Sequence, residues 1–192
     1  MEILPEIKQR ISPHVFRSDD VEPEKLKALV EAARLAPSCF NNQAWNYIFV
    51  RRDDPQRKLL ENALFLGNEW ARKAPVLVAV ASTPNQDCKT NGLPYYAYDA
   101  GLSVMSLVLE AEHQGLRVHQ MAGYNEENVK KALKVPDEYR VVILFALGYE
   151  GEIRGIIDAL TDKVKNRLTQ ARTRKPVSDN FFRDRFGERL NL

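Results

Sequence analysis

The chain has 192 residues, of which 44% are hydrophobic and 28% are charged, values ordinary for a folded globular protein and against disorder as its main state. Its 28 basic and 26 acidic side chains leave a formal charge of +2, too weak a field to favour a nucleic acid or an anionic membrane as the main partner. No run of 18 apolar residues occurs, and the opening MEILPEIKQR does not resemble a signal peptide. We therefore predict a cytoplasmic protein without a membrane span.

The predicted elements begin with an amphipathic helix over residues 24–36, whose apolar positions recur at i, i+3, i+4 and i+7: Leu26, Leu29, Val30 and Ala33. Runs of β-branched and aromatic residues predict strands at 45–50, 76–82 and 139–149. The last two runs are apolar on both faces, which is typical of strands covered by helices on both sides. Further helices are expected near 55–65, 94–114 and 125–134.

The helix predicted over 94–114 is apolar nearly all round, which indicates burial in a large core or at an oligomer interface. Residues 156–192 are more charged and suggest a C-terminal extension over the body. We find no repeat and no long linker, so we predict a single domain, 1–192, of the α+β class, in which helices flank a layered sheet.

Several common site motifs are absent. The two cysteines show no CxxC spacing and no His/Cys cluster, which argues against a zinc site and against a disulfide scaffold and fits a reducing cytosol. The three histidines, His14, His113 and His119, are too scattered in sequence for a metal set. Neither a Rossmann fingerprint, a Walker loop nor a G-x-S-x-G elbow occurs. Any chemistry must therefore come from a bound reagent.

Three separated segments have the composition of a site for an anion and a heterocycle. In RISPHVF, the alternating Arg10, Ser12 and His14 would share one side of an extended stretch and could bind a phosphate together. The second segment, APSCFNNQAW (36–45), places many amide and hydroxyl groups between a helix and a strand. The third is the basic RTRKP (172–176).

Four segments in order resemble the FMN-dependent nitroreductase family. RISPHVF is similar to its Arg-x-Ser-x-(Lys/Arg)-x-Phe, and APSCFNNQAW to its Ala-Pro-Ser-x-x-Asn-x-Gln-Pro-Trp. Residues 115–149 follow its Gly-Leu, strand, Gly-(Phe/Tyr), helix, Pro, strand, Leu-Gly order, and RKPVSDNFFRDRFG resembles its closing segment. The resemblance implies a mainly antiparallel central sheet with a C-terminal arm. It also implies a homodimer with FMN at the subunit interface, and ping-pong hydride transfer from NAD(P)H to a small electron acceptor: a nitroaromatic, a quinone or a flavin.

The resemblance also implies three groups of FMN-binding residues and no side-chain acid or base. The phosphate would be held by Arg10, Ser12, His14, Arg172 and Arg174, with the Ile11 backbone along the ring. The ribityl chain and dimethylbenzene side would meet Pro37, Ser38, Cys39 and Asn41 from the other subunit. The pyrimidine edge would meet Asn68 and Gln43, and the N5 and O4 region would face backbone N–H groups of Gln120, Met121, Ala122 and Gly123.

The sequence departs from the family pattern at three positions. His14 stands where Lys or Arg is usual, Ala44 where Pro is usual, and Ala122 where many relatives have Glu. Three other interpretations stay open: a narrower family reaction such as flavin reduction, dehalogenation or ring desaturation; an FMN carrier or redox module without turnover; and a cofactor-free interaction protein.

Overall fold

The computed structural model describes residues 2–152 and 173–190. The chain divides into two units, residues 1–155 and 156–192. The helices of the first unit are α1 (Pro5–Gln9), α2 (Pro23–Arg34), α3 (Arg57–Asn62), α4 (Tyr95–His113) and α5 (Glu126–Leu133). Its strands are β1 (Asn46–Arg51), β2 (Val76–Ser82), β3 (Arg117–Met121) and β4 (Arg140–Gly148). Short 3₁₀ turns lie at Cys39–Asn41, Glu69–Lys73 and Pro84–Gln86.

The four strands form one sheet in the order β1-β2-β4-β3, and every neighbouring pair is antiparallel. Phe145 of β4 lies opposite Val78 of β2 on one side and Gln120 of β3 on the other. The predicted α+β class with a central antiparallel sheet is therefore confirmed. The predicted strands and helices also occur, with ends that shift by a few residues.

Two hydrophobic clusters cover the two faces of the sheet. On β2, Val78 belongs to the cluster that contains residues of α2 and α4, whereas the adjacent Leu77 and Ala79 belong to the cluster that contains residues of α3 and α5. This division follows from the alternation of side chains along a strand. All seven residues of β2 are buried, which confirms the prediction that this strand is covered on both sides.

Helix α4 buries one face, through residues such as Ala100, Val104 and Leu107, against that core. Its other face remains open in the protomer, where Tyr98 is 62% and Met105 37% exposed. Helix α4 therefore has more apolar surface than one copy of the chain buries.

The described part of the second unit, residues 173–190, contains a short helix α6 (Val177–Asn180). A β-bridge joins Phe182 to Arg189, and the Phe182 and Phe186 ring centroids are 4.7 Å apart. Arg174 is exposed and donates a hydrogen bond to the Thr173 carbonyl at 2.7 Å. That 156–192 extends a single domain stays a prediction. Within residues 2–152 and 173–190, no helix has the length and apolar character needed to cross a membrane.

A disulfide bond joins Cys39 to Cys88, whose Cα atoms are 6.1 Å apart. The sequence argued against a disulfide scaffold and so did not predict this bond. The reason lies in strand pairing: β1 and β2 are antiparallel with Asn46 opposite Ala81, and each cysteine lies seven residues beyond that pair. The spacing of the cysteines in the sequence carries no information about this register.

Helix α1 is tied to the end of α4 by a titratable contact, the 3.0 Å pair between His113 Nδ1 and Glu6 Oε1. The hydrogen bond to Glu6 raises the pKa of His113, whereas the backbone and His113 lower the pKa of Glu6. The stabilisation from His113 is thus complete below its unfolded pKa of about 6.5 and is lost as the pH rises through the raised value.

We expect an NMR titration to give a lower His113 pKa in the variant Glu6→Gln than in the native protein. The difference in unfolding free energy between the two proteins should shrink as the pH rises from 6 to 9, because His113 then loses its charge. An unchanged His113 pKa in Glu6→Gln would contradict this contact.

Candidate active site

Arg10 and Ser12 lie side by side immediately after α1 ends. Arg10 Nη1 donates a hydrogen bond to Ser12 Oγ at 3.2 Å. The segment then reaches the end of β4 through a bridge from Phe16 to Glu150 and a bond from the Arg17 N–H to the Tyr149 carbonyl at 2.9 Å. The alternation in the sequence correctly placed the guanidinium and the hydroxyl together, an arrangement that suits an anionic group.

His14 lies in a group of three rings, which we call the ring cluster: His14, Trp70 and His119. The His14 centroid is 5.0 Å from that of Trp70 and 4.5 Å from that of His119, and Trp70 lies 4.3 Å from His119. The Nδ1 atom of His119 also lies 2.8 Å from the Pro13 carbonyl oxygen. The histidines His14 and His119 are therefore scattered in sequence but not in the fold.

The ring cluster joins the segment after α1 to β3 and to the turn Glu69–Lys73. The sequence analysis did not predict Trp70 and His119 as neighbours of the site. The one available signal was that His119 directly precedes Gln120, a predicted site residue. In residues 2–152 and 173–190, no group of three or more His, Cys, Asp and Glu side chains is arranged to hold a metal ion.

Asn68 and Gly123, from two separate predicted segments, are in direct contact. Asn68 Nδ2 donates a hydrogen bond to the Gly123 carbonyl oxygen at 2.9 Å, and the Phe65 N–H donates to the same oxygen at 3.0 Å. Gly123 follows the end of β3, and β3 is an edge strand of the described sheet. Because an edge strand has one unpaired side, backbone groups here can bind something outside the sheet.

Residues 37–43, which we call the amide-rich corner, have an unusual backbone. Phe40, Asn41 and Gln43 have φ angles of 50°, 58° and 48°, a left-handed region that costs a non-glycine residue about 1–2 kcal/mol. Ser38 supports the corner, since its Oγ accepts the Gln43 N–H at 3.0 Å and its carbonyl accepts the Asn41 N–H at 3.0 Å. Such strain is typical of functional sites.

The corner is also anchored to the start of α4. The Cys39 N–H donates to Asp99 Oδ2 at 3.0 Å, and Asp99 is only 4% exposed. Phe40, in contrast, is 84% exposed. A rigidly held corner therefore presents an aromatic side chain and several amides to the outside of the protomer.

The corner and the Arg10 segment lie at opposite ends of α4. Glu6 of α1 pairs with His113 in the last turn of α4 at 3.0 Å, and Arg10 directly follows α1, which places Arg10 at this end. Asp99, at the other end, holds Cys39. The intervening turns span about 20 Å at 1.5 Å per residue. A single protomer therefore does not bring Arg10 and the corner together.

The corner is also distant from Gly123. It precedes β1, which forms one edge of the described sheet, while Gly123 follows β3 at the other edge. Three strand spacings of about 4.8 Å separate these edges by roughly 14 Å. Gln43, which we predicted to lie with Asn68, is in the corner, where its Nε2 donates to the Asn41 carbonyl at 3.2 Å.

The predicted arginines of the C-terminal segment fall outside this unit. Arg174 belongs to the second unit, and Arg172 lies outside the described residues. Their role at the phosphate therefore stays a prediction. The structure joins Arg10 to Ser12, and Asn68 to Gly123, and it joins His14 to β3 through His119.

Comparison with known proteins decides the family. A sequence model described as the nitroreductase family matches residues 7–65 and 53–149, which is more than half of the chain. The chain belongs to the nitroreductase family. The resemblance drawn from the four sequence segments is thereby confirmed.

This nitroreductase-family chain is similar to known proteins over most of its length. An uncharacterised 15.4 kDa protein of Mycolicibacterium smegmatis is 32% identical over 68% of this chain and 84% of its own length. A protein of Archaeoglobus fulgidus with the provisional name NADH dehydrogenase/NAD(P)H nitroreductase is 26% identical over 82% of this chain and 91% of its own. A crystal structure described as an oxidoreductase containing FMN superposes with a TM-score of 0.84, at 27% identity, over 98% of this chain and 95% of its own.

Gly123, just after β3, allows the close approach of the Asn68 side chain. A Cβ atom built on Gly123 would lie 2.6 Å from Asn68 Nδ2, so only glycine allows the Asn68 amide to reach this backbone. The Asn68 amide oxygen can act as an acceptor, and Ala122, next to Gly123 in the chain, is exposed. This combination of donors and acceptors fits the polar edge of a flavin ring.

We expect Gly123→Ala to displace the Asn68 side chain, because the new methyl group occupies its place. The loss of the Asn68–Gly123 hydrogen bond should lower the free energy of unfolding by about 1 kcal/mol, measured by urea denaturation. The matched background is Asn68→Ala, in which the same glycine substitution should cost less because the clash is gone. Equal costs in both backgrounds would show that Asn68 is not the group displaced.

Proposed function

We propose that this protein is an FMN-dependent oxidoreductase that uses NAD(P)H to reduce a small acceptor such as a nitroaromatic, a quinone or a flavin. The observation that carries the proposal is the contact among three distant segments, 13–14, 68–70 and 119–123, in a nitroreductase-family chain. The FMN of the solved neighbour and the NAD(P)H in the name of the A. fulgidus relative support the choice of cofactor and reductant.

The roles of the residues follow from their chemistry. Arg10 and Ser12 would bind the FMN phosphate, because a guanidinium and a hydroxyl 3.2 Å apart can donate to the same anion. Asn68 and the backbone around Gly123 would orient the pyrimidine edge. When bound, FMN supplies the hydride transfer between NAD(P)H and the acceptor. The protein then needs no acid or base of its own, and it contributes binding, orientation and electrostatics.

The ring cluster would border this site between the phosphate end and the ring end. His14 packs edge-on against Trp70 at 5.0 Å and against His119 at 4.5 Å. Packed rings of this kind resist displacement and exclude water from one side of a pocket. We propose that His14 binds the FMN phosphate from this packed position, where the family usually has Lys or Arg.

We further propose that the working form is a homodimer, in which the amide-rich corner of one copy closes over the flavin held by the other. About 20 Å of α4 separates the corner from the Arg10 segment within one copy. In a two-fold dimer that pairs α4 antiparallel, each corner would meet the partner's Arg10 end. The open face of α4, with Tyr98 and Met105, supports this pairing. We place the dimer in the cytoplasm, on the composition of the chain.

One experiment tests the proposed activity directly. The absorbance spectrum of the purified protein is recorded before and after anaerobic addition of NADH and of NADPH, and then after a nitroaromatic, a quinone or riboflavin. We expect a flavin spectrum that bleaches with reductant and returns with acceptor. A yellow protein that neither reductant bleaches would be a flavin carrier, and a colourless protein that takes up no FMN would contradict the proposal.

A further inference from the structure

The Cys39–Cys88 disulfide joins the amide-rich corner to the segment that follows β2. Besides this covalent bond, the corner is bound to that segment by a hydrogen bond from Asn42 Nδ2 to the Gln86 carbonyl at 3.2 Å. Both cysteines are only partly buried, so a reductant in solution can reach the bond. The sulfur atoms therefore form a modifiable site, separate from the residues around β3.

Hydrogen bonds attach Cys39 and Asp87, the residue before Cys88, to the first two turns of α4. The Cys39 N–H bonds to Asp99 at 3.0 Å, and the Tyr96 N–H bonds to Asp87 Oδ1 at 3.1 Å. The disulfide closes a loop between positions 39 and 88, and a bond that closes a loop of this length typically stabilises the native state by about 2–4 kcal/mol. The disulfide thus strengthens the contact between the corner and the segment after β2, which otherwise depends on a few hydrogen bonds.

The corner has a conformation that needs such reinforcement. Three of its four consecutive residues from Phe40 to Gln43 are left-handed without being glycine. Such residues cost about 1–3 kcal/mol each, less for asparagine, and persist only where the surroundings enforce them. Left-handed backbone recurs across the bond, at Lys89 and Asn91, with φ of 50° and 57°. Both sides of the disulfide therefore have backbone in a sparsely populated conformation.

We propose that Cys39 and Cys88 form a reversible dithiol/disulfide site that sets the conformation of the amide-rich corner and, through it, the affinity for FMN. A dithiol reductant attacks one sulfur, the S–S bond breaks, and the second cysteine leaves as a thiolate that takes up a proton. The reductant becomes a disulfide, and the two cysteines gain two electrons and two protons. In a reducing cytosol, a disulfide is more often such a transient element than a permanent structural one.

After reduction, only hydrogen bonds stabilise the strained backbone of the corner. If the closed conformation then falls to roughly a tenth of the population, the apparent Kd for FMN rises about tenfold. The flavin part of this inference rests on the proposed function, whereas the conformational part does not. The two parts therefore need separate measurements.

The test uses the full-length protein with and without dithiothreitol, and the variant Cys88→Ser as a permanently open form. Thiol titration should find no free thiol in the oxidised protein and two after reduction. Hydrogen exchange should then accelerate at the amides of residues 38–43 and 86–93, and the Kd for FMN should rise about tenfold. Cys88→Ser should show the fast exchange and the weak binding in either condition, and glutathione disulfide should restore the reduced native protein.

The outcomes separate the inference from the proposed function. Two thiols that appear without any change in exchange at 38–43 would overturn the inference, as would a purified protein whose thiols glutathione disulfide cannot oxidise. Exchange that responds to reduction while neither state takes up FMN would support the switch and contradict the proposed function instead. If Cys88→Ser does not fold, the native protein with dithiothreitol still gives the answer.

Discussion

Replacing Arg57 with methionine is expected to destabilise the protein by about 3–5 kcal/mol, the range observed when one partner of a buried ion pair is removed. Arg57 is 4% exposed, and its Nε donates to Glu61 Oε1 at 2.8 Å. Its Nη2 donates to the carbonyls of Ala74 at 2.7 Å and Arg72 at 3.1 Å, and its Nη1 to that of Val50 at 3.3 Å. Methionine fills part of the volume but leaves one carboxylate and three carbonyls without these donors.

The size of this effect reflects the position of Arg57 among three elements. It lies on α3 and binds the end of β1 and the residues just before β2, including the turn Glu69–Lys73 that follows Asn68. The guanidinium thus serves as the common hydrogen-bond donor where these chain segments meet. Because the turn carries Trp70, loss of Arg57 should also disturb the ring cluster.

Lys58→Met is the matched control, because Lys58 is the neighbouring residue and also pairs with Glu61, at 3.7 Å. Its side chain is 76% exposed, so this substitution should change stability by less than about 1 kcal/mol. Both variants are measured by urea denaturation at equal flavin content, since bound ligand shifts stability. A similar loss of unfolding free energy in the two variants would show that the buried hydrogen bonds of Arg57 contribute no more to stability than the exposed Lys58 pair.

Arg10→Ala should weaken FMN binding by about 30- to 150-fold, because a charge-assisted hydrogen bond contributes roughly 2–3 kcal/mol. The same variant should bind riboflavin as the native protein does, since riboflavin has no phosphate. Fluorescence titration with the two flavins measures both constants. This comparison separates a lost phosphate contact from general damage to the site, which would weaken both ligands.

Arg17→Ala is the control for charge. It removes one positive charge seven residues away, where Arg17 forms an exposed pair with Asp19 at 2.8 Å. We expect its Kd for FMN to stay within about twofold of the native value, because the Arg17 charge is exposed and already paired with Asp19. If Arg17→Ala weakened FMN as much as Arg10→Ala, the phosphate would be attracted by the overall field and not bound at Arg10.

The periodicity and composition of the sequence were sufficient to predict helices α2 to α5 and strands β1, β2 and β4, whereas β3 was expected only from the family resemblance. Residues 76–82 are apolar at every position, which predicts a strand buried on both faces wherever it lies in a sheet, and all of β2 is buried. The motifs RISPHVF and APSCFNNQAW are two of the four segments that indicated the nitroreductase family. Such signals are local, because hydrophobic periodicity and short motifs are read within a few residues.

What the sequence could not supply was the set of distant neighbours. The contact of His14 with His119, the Asn68–Gly123 bond and the Cys39–Cys88 disulfide all join residues more than 45 positions apart.

The division of the site between the two ends of α4 was likewise decided by tertiary structure. The sequence by itself determined helices α2 to α5, three of the four strands and the family, because these depend on local pattern. Only the tertiary structure decided that Cys39 meets Cys88, since that meeting depends on the antiparallel register of β1 with β2, which no local stretch of sequence contains.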